Sequence, residues 1–148
     1  MYVKTKCIKV KKLSNLRELP LPQYAKSGDS ARDLYAAIDN DVILEPGEVK
    51  MIPTGIALDL DEGTEAQIRP RSGLALKKLL IHFGTIDSAF KGECNVIVYN
   101  LSKEPFIINH GLRIAQLAIA PVIHYEWQEV EDLRKTDRGV GGFGSTGF

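Results

Sequence analysis

The sequence predicts an all-β protein, a sandwich or barrel of short antiparallel strands with one short helix. Three observations predict it. Short apolar runs, several alternating with polar residues, recur along the chain. Turns containing glycine or proline separate them. One segment alone, from Ser72 to Leu80, breaks this rhythm and is rich in helix formers. Regular spacing of short strands is the pattern of a sandwich or barrel. At 148 residues the chain is most simply one domain. A chain of this size buries about 68–70% of its unfolded surface, enough for a real core.

Cys7-Ile8-Lys9-Val10-Lys11 alternates and makes the first strand. Ser30 to Ala37, with Asp33 at its centre, reads by itself as a charged turn. Asp41 to Leu44 leads into Glu45-Pro46-Gly47-Glu48, a turn with Pro and Gly in the middle. Val49 to Ile52 and Ile56 to Leu60 follow as two strands separated by Pro53-Thr54-Gly55. After the turn Asp61-Glu62-Gly63 comes a short strand, Ala66 to Arg69. Ser72 can cap a helix running from Gly73 to Leu80. Gly84 to Glu93 looks like a hairpin bounded by glycines. Asn95 to Asn100 is the strongest strand, and Phe106 to Ile108 and Ala115 to Ala120 continue the pattern. There is no internal repeat and no linker. The division expected is a β core over 1–135 and a separate mobile element over 136–148.

Charge and cysteine usage narrow the function. The 19 basic and 19 acidic residues cancel, a poor balance for non-specific nucleic-acid binding. A bound phosphate must then be held by local geometry, with or without a metal ion. Cys7 and Cys94 are far apart and form no close-spaced motif, as expected of free thiols in a reducing compartment. No signal peptide opens the chain, and the longest apolar stretch, Ile114 to Ile123, is broken by Gln116 and Pro121. A soluble, intracellular, cytoplasmic protein is expected, without membrane contact. The histidines His82, His110 and His124 are scattered, no Cys-x-x-Cys pairs with them for zinc, and there is no Walker A sequence.

The densest signal is the run Arg138 to Gly147, with five glycines. Glycines let backbone N–H groups converge on an anion. Arg138 adds a forked cation, Ser145 and Thr146 add hydroxyls, and Phe143 offers a ring to stack on a base. The run reads as a flap over a nucleotide rather than a plain glycine-rich tail. Four further segments carry candidates. Arg71, Ser72 and Gly73 stand where a strand gives way to a helix, a place that suits phosphate. Asp87, between Gly84-Thr85-Ile86 and Phe90, either orients a water or makes an Asx turn. Gln116 lies in an apolar strand, where its amide needs a partner, either a phosphate or a backbone group. Asp33 can anchor a hydrated Mg²⁺, which is often held through one carboxylate plus phosphates.

Taken together in chain order, these segments resemble the five motifs of the trimeric dUTPases. The match runs from about Gly28 to Gly147 and rests on Pro70-Arg71-Ser72-Gly73-Leu74-Ala75, Gly84-Thr85-Ile86-Asp87 and Gly141-Gly142-Phe143-Gly144-Ser145-Thr146-Gly147. The resemblance implies a jelly-roll, barrel-like protomer and a homotrimer whose C-terminal tails are exchanged between subunits. It implies hydrolysis of dUTP to dUMP and pyrophosphate, supplying dUMP for dTTP synthesis and keeping uracil out of DNA. Asp87 would orient and deprotonate the attacking water. Mg²⁺ would bind the phosphates, with Asp33 holding its water shell. Ser72, Gly73 and Gln116 would contact the α/β region, supported by Arg71. Arg138, Ser145 and Thr146 would hold the γ-phosphate, and Phe143 and Gly144 would lie in the closing flap, Phe143 on uracil. The backbone of Gly84, Thr85 and Ile86 would read the uracil edge.

Some positions depart from the family pattern. Phe90 stands where the family has Tyr, the ring beneath deoxyribose; Phe keeps the wall, so discrimination against a 2′-hydroxyl is expected. Ala31 and Arg32 replace a frequent Gly–aromatic pair, and Leu112 replaces a common acidic residue before Arg113. The stretch from Ala75 to Gly84 is shorter than in many members, with Ile81 near where some carry an Asn that touches uracil. The related dCTP deaminases need a catalytic Glu where this chain has Ile97, so deamination lacks its proton carrier. A non-catalytic binder on the same fold is the remaining alternative, against which Asp33, Asp87 and the complete tail argue.

Overall fold

The computed structural model describes residues 6–142. Its strands are β1 (Lys9–Lys12), β2 (Ala31–Tyr35), β3 (Val42–Leu44), β4 (Val49–Asp59), β5 (Thr64–Arg69), β6 (Leu79–Ile81), β7 (Gly84–Ile86), β8 (Glu93–Asn100), β9 (Phe106–Ile108) and β10 (Arg113–Pro121). One helical turn, α1 (Ser72–Ala75), and a 3₁₀ turn at Ser14–Leu16 complete the described elements. The fold is all-β, as expected. Two four-stranded sheets, ordered β1-β4-β8-β6 and β2-β10-β5-β7, are accompanied by the pair β3-β9, and every described pairing is antiparallel.

Alternation decides which side chains face inward. In β8, Cys94, Val96, Val98 and Asn100 are buried, while their neighbours along the strand are more exposed. Leu34, Ile52, Leu79, Ile108 and Ile114 join them in one core. Asn100 is a buried polar residue with all its partners in place. Its amide donates to Leu44 O and Glu104 O, both at 2.8 Å, and its oxygen accepts from Ser102 N and Ser102 Oγ. That amide ties the β3-β9 pair to the end of β8, and a buried amide so satisfied costs nothing in lost hydrogen bonds.

Several boundaries differ from the sequence reading, and the larger differences have a long-range reason. The first strand begins at Lys9 rather than Cys7, and pairs with β4 from Asp59 to Ile56. Ser30 to Ala37 contains β2 rather than a turn, because Ala31 to Tyr35 pairs with β10 and buries Leu34. Pro53-Thr54-Gly55 does not separate two strands. It is a bulge within β4, where the register jumps from Pro53↔Asn95 to Ala57↔Glu93. Gly55 sits there at φ +72° with its Cα side against Leu16, leaving 2.6 Å between a would-be Cβ and Leu16 Cβ.

The helix is the largest difference. It ends at Ala75 rather than Leu80, and Arg71 rather than Ser72 occupies the N-cap, with no capping side chain. The chain reverses at Lys78 (φ 61°) and enters β6, where Leu79 and Ile81 point into the core and Leu80 points out. The apolar run Leu79-Leu80-Ile81 satisfies a strand as well as a helix, and pairing with β8 decides for the strand. The expected hairpin from Gly84 to Glu93 is an arch instead. β7 pairs with β5, while β8 pairs with β4 and β6, so the connection crosses from one sheet to the other.

Candidate active site

The first cleft opens on the outer face of the β2-β10-β5 ladder. In register, Gln116 on β10 lies opposite Asp33 on β2 and Arg69 on β5. Alternation turns all three outward while Leu34, Leu117 and Ile68 turn into the core. They line a polar cavity of ≈ 300 Å³ together with Gln23, Asp29 and Ser30.

Charge is concentrated beside it. Arg71 Nε lies 3.0 Å from Asp33 Oδ1 and Arg113 Nη1 lies 3.4 Å from Asp33 Oδ2. Arg71 also donates to Arg113 O at 2.7 Å. One carboxylate thus faces two guanidiniums, an excess of positive charge that suits an anion. Gln116 Nε2 donates to Pro70 O at 2.8 Å, which fixes the amide and ties β10 to the segment entering α1. Ser72 and Gly73 are exposed beside Arg71. The φ of Gly73 is not in the left-handed region, and a Cβ there would meet nothing within 4 Å. Neither backbone geometry nor packing within the chain therefore requires this glycine.

The second cleft, ≈ 240 Å³, lies under the arch between the two sheets and is lined by Gly84, Thr85, Ile86, Asp87, Phe90 and residues of β8. Gly84 fits because a Cβ there would come within 3.2 Å of Ile68 Cβ across the ladder. Asp87 is exposed at the mouth, and its carbonyl accepts from Phe90 N at 3.0 Å, closing a tight turn. Glu93 anchors the far end. Its carboxylate accepts from Asn15 Nδ2 at 2.7 Å and from Gly55 N at 2.8 Å, binding the arch to the 3₁₀ turn and the β4 bulge. Cys94 lies at the base of this cleft. Burial, aided by the neighbouring Glu93 charge, pushes its thiol up to about 12.

The chain thus gathers Asp33 and Gln116 in one cleft, with Arg71 bound to Asp33, and Gly84, Thr85, Ile86, Asp87 and Phe90 in the other. The two clefts share no lining residue. Arg138 lies at neither. It is exposed and its Nε donates to Gly141 O at 2.9 Å. Phe143, Gly144, Ser145 and Thr146 fall outside the described residues. Ile81, near the position where an Asn touches uracil in some dUTPases, is buried in the core and faces neither cleft. Sequence reasoning passed over Arg69, Arg113 and Glu93. Arg69 meets Gln116 only through strand register, Glu93 meets Asn15 and Gly55 only where the 3₁₀ turn and the β4 bulge close on it, and Arg113 gave no signal beyond its charge.

Among the described residues no group of three or more His, Cys, Asp and Glu could hold a metal ion. The site therefore offers no protein cage, whereas one outward carboxylate beside a phosphate-suited cleft fits a hydrated Mg²⁺. No helix among the described residues is long and apolar enough to cross a membrane.

The dUTPase family model matches residues 17–147. The chain belongs to the dUTPase family. It is 50% identical over 144 residues to the deoxyuridine 5'-triphosphate nucleotidohydrolase of Thermoanaerobacter sp. (strain X514), covering 95% of this chain and 97% of that protein. It is 53% identical over 146 residues to that of Ehrlichia canis (strain Jake), covering 95% of each. The fold is similar to Staphylococcus bacteriophage 80alpha dUTPase with dUpNHpp, with a TM-score of 0.83, 29% identity, and coverage of 97% of this chain and 100% of the other. A dUTPase mutant from phage phi11 of S. aureus, described with a structural Mg(II) ion, gives a TM-score of 0.78 at 25% identity, covering 88% and 100%.

Proposed function

We propose that the protein hydrolyses dUTP to dUMP and pyrophosphate as a homotrimer, in the cytoplasm. The observation that carries this reading is the division of the site into a charged cleft at Asp33 and a shape-built cleft at Asp87, which one chain keeps apart. Membership of the dUTPase family supplies the substrate. A second copy joins the halves when its arch faces the first chain's β2-β10-β5 ladder. Two exposed features support assembly. The outer face of β4, β8 and β6 pairs Met51 with Ile97, Val49 with Tyr99 and Leu80 with Tyr99, an apolar patch on water. Beyond β10, Trp127 (102%) and Leu133 (85%) are bare.

Asp87 orients a water and takes its proton as the oxygen attacks the α-phosphorus. The bond from that phosphorus to the bridging oxygen breaks, and pyrophosphate departs. Arg71 and the N–H groups at Ser72 and Gly73 stabilise the charge on the phosphates, with Gln116 holding the segment in place. Glycine at 73 leaves room for a phosphate to approach the backbone. Asp33 would hold the water shell of Mg²⁺, which supplies charge neutralisation on the triphosphate. Phe90 walls the sugar, and the backbone of Gly84 to Ile86 reads uracil. The segment 136–148 closes over a neighbouring site, bringing Arg138, Ser145 and Thr146 to the γ-phosphate and Phe143 with Gly144 to the base.

Incubation with dUTP, dCTP, UTP and dTTP plus Mg²⁺ tests this. The expected products are dUMP and pyrophosphate from dUTP alone. Uracil nucleotides from dCTP would restore deamination despite Ile97, and bound but unconverted dUTP would make the protein a binder.

A further inference from the structure

We infer that Gly92 is a positioning residue for the substrate, the seat that fixes the ring of Phe90; this rests on the reading of Phe90 as the wall against the sugar. Glycine at this position is not a backbone requirement, since its φ lies outside the left-handed region. What excludes a side chain is one ring. A Cβ on Gly92 would stand 2.6 Å from Phe90 Cζ, 3.0 Å from Cε2 and 3.4 Å from Cε1, and these are its three nearest atoms. Real side-chain carbons do not approach that closely, so the ring can lie on residue 92 only while that residue has no side chain.

The backbone around the ring is tied down. Phe90 N donates to Asp87 O at 3.0 Å. Lys91 Nζ donates to Ser88 O at 2.8 Å and to Asp59 Oδ1 at 2.6 Å, fastening the turn to β4. Glu93, which follows Gly92, holds Gly55 and Asn15. The ring, by contrast, is 45% exposed and has solvent to move into. A methyl group at 92 is therefore relieved by swinging the ring, at little cost to the fold. The ring and Asp87 line the same cleft, so the displacement alters the wall that meets the sugar while leaving the water-orienting carboxylate in place.

Steady-state kinetics of Gly92→Ala, Phe90→Ala and the double variant, with dUTP and UTP, test this. The ratio of kcat/KM for dUTP over UTP is expected to fall about tenfold in Gly92→Ala, the size of effect one methylene produces in a pocket. The loss for dUTP should lie in KM, with kcat within about twofold and the melting midpoint within about 2 °C of the parent. In the Phe90→Ala background Gly92→Ala should change nothing further, because the two substitutions remove the same contact. An unchanged ratio in the single variant, or an equal loss with the ring already gone, overturns the proposal. Parent protein inert toward dUTP would overturn the activity reading instead. The steric claim then stands or falls on a crystal structure of Gly92→Ala, where an unmoved ring overturns it.

Discussion

The cleft at Asp33 is walled by three neighbouring strands of one sheet, whereas the cleft at Asp87 lies beneath a connection between two sheets. The first presents a carboxylate, an amide and guanidiniums at fixed ladder spacing. The second presents one glycine, backbone and one aromatic ring, with the carboxylates of Asp87 and Glu93 at its two ends. Charges need a rigid frame, because ion pairs and hydrogen bonds weaken steeply with distance and angle. A shape filter needs close approach, which glycine allows and a β-ladder of side chains does not. On the proposed reading, each kind of recognition sits on the architecture that can supply it.

Asp87 should break that division most sharply, since it is a charge in the shape-built cleft. Asp87→Asn is expected to lower kcat by about 10³-fold, within the range for loss of a general base. Titration with dUpNHpp should show affinity close to the parent. A parallel loss of affinity would make Asp87 part of phosphate recognition and blur the two clefts. Arg71→Ala sharpens the comparison from the other side. Its KM for dUTP should rise about 10–100-fold, the weight of a lost charge-assisted contact. The preference for dUTP over UTP should stay constant, which paired kinetics with both nucleotides would reveal. Arg71→Lys should restore only part of the loss, because an ammonium cannot reproduce the fork that reaches Asp33 and Arg113 O together.

Cys94 gives the smallest effect near neutrality. Its thiol is held up to about 12 from an ordinary 9.0, chiefly by burial. The unfolded chain ionises this thiol first, so its contribution to stability is complete below pH 9.0 and is lost as pH rises toward 12. Urea midpoints should fall over that window, and less so in Cys94→Ala. At neutral pH Cys7, which is exposed, should react with a thiol reagent while Cys94 reacts only after unfolding. Ready labelling of folded Cys94 would show the arch opening beneath Phe90.

Much of this was legible in the sequence where alternation and turns are local. Asn95 to Asn100 is a strand by its own pattern, and Gly84 to Asp87 announced the second cleft. What was hidden depends on distant partners. β2 reads as a charged turn because Arg32 and Asp33 are polar, and only pairing with β10 makes it a strand. Leu79 and Leu80 read as helix because apolar residues in a row carry no period, and Asn100 and Tyr99 across the ladder settle them. Arg69 joins the charged cleft through Gln116, a residue 47 positions away that only the register brings opposite it. Glu93 likewise reaches Asn15 across 78 residues, here through a side-chain hydrogen bond to the 3₁₀ turn.

Trp127 is the only tryptophan in the chain, and it lies beyond the last strand with its ring in water. Its emission is therefore blind to the melting of the barrel and sensitive to whatever covers the segment after Pro121. In the proposed trimer, dilution, which would separate subunits, and denaturant, which would unfold them, become spectroscopically distinct, with tyrosine and the far-ultraviolet reporting the fold and the indole reporting assembly.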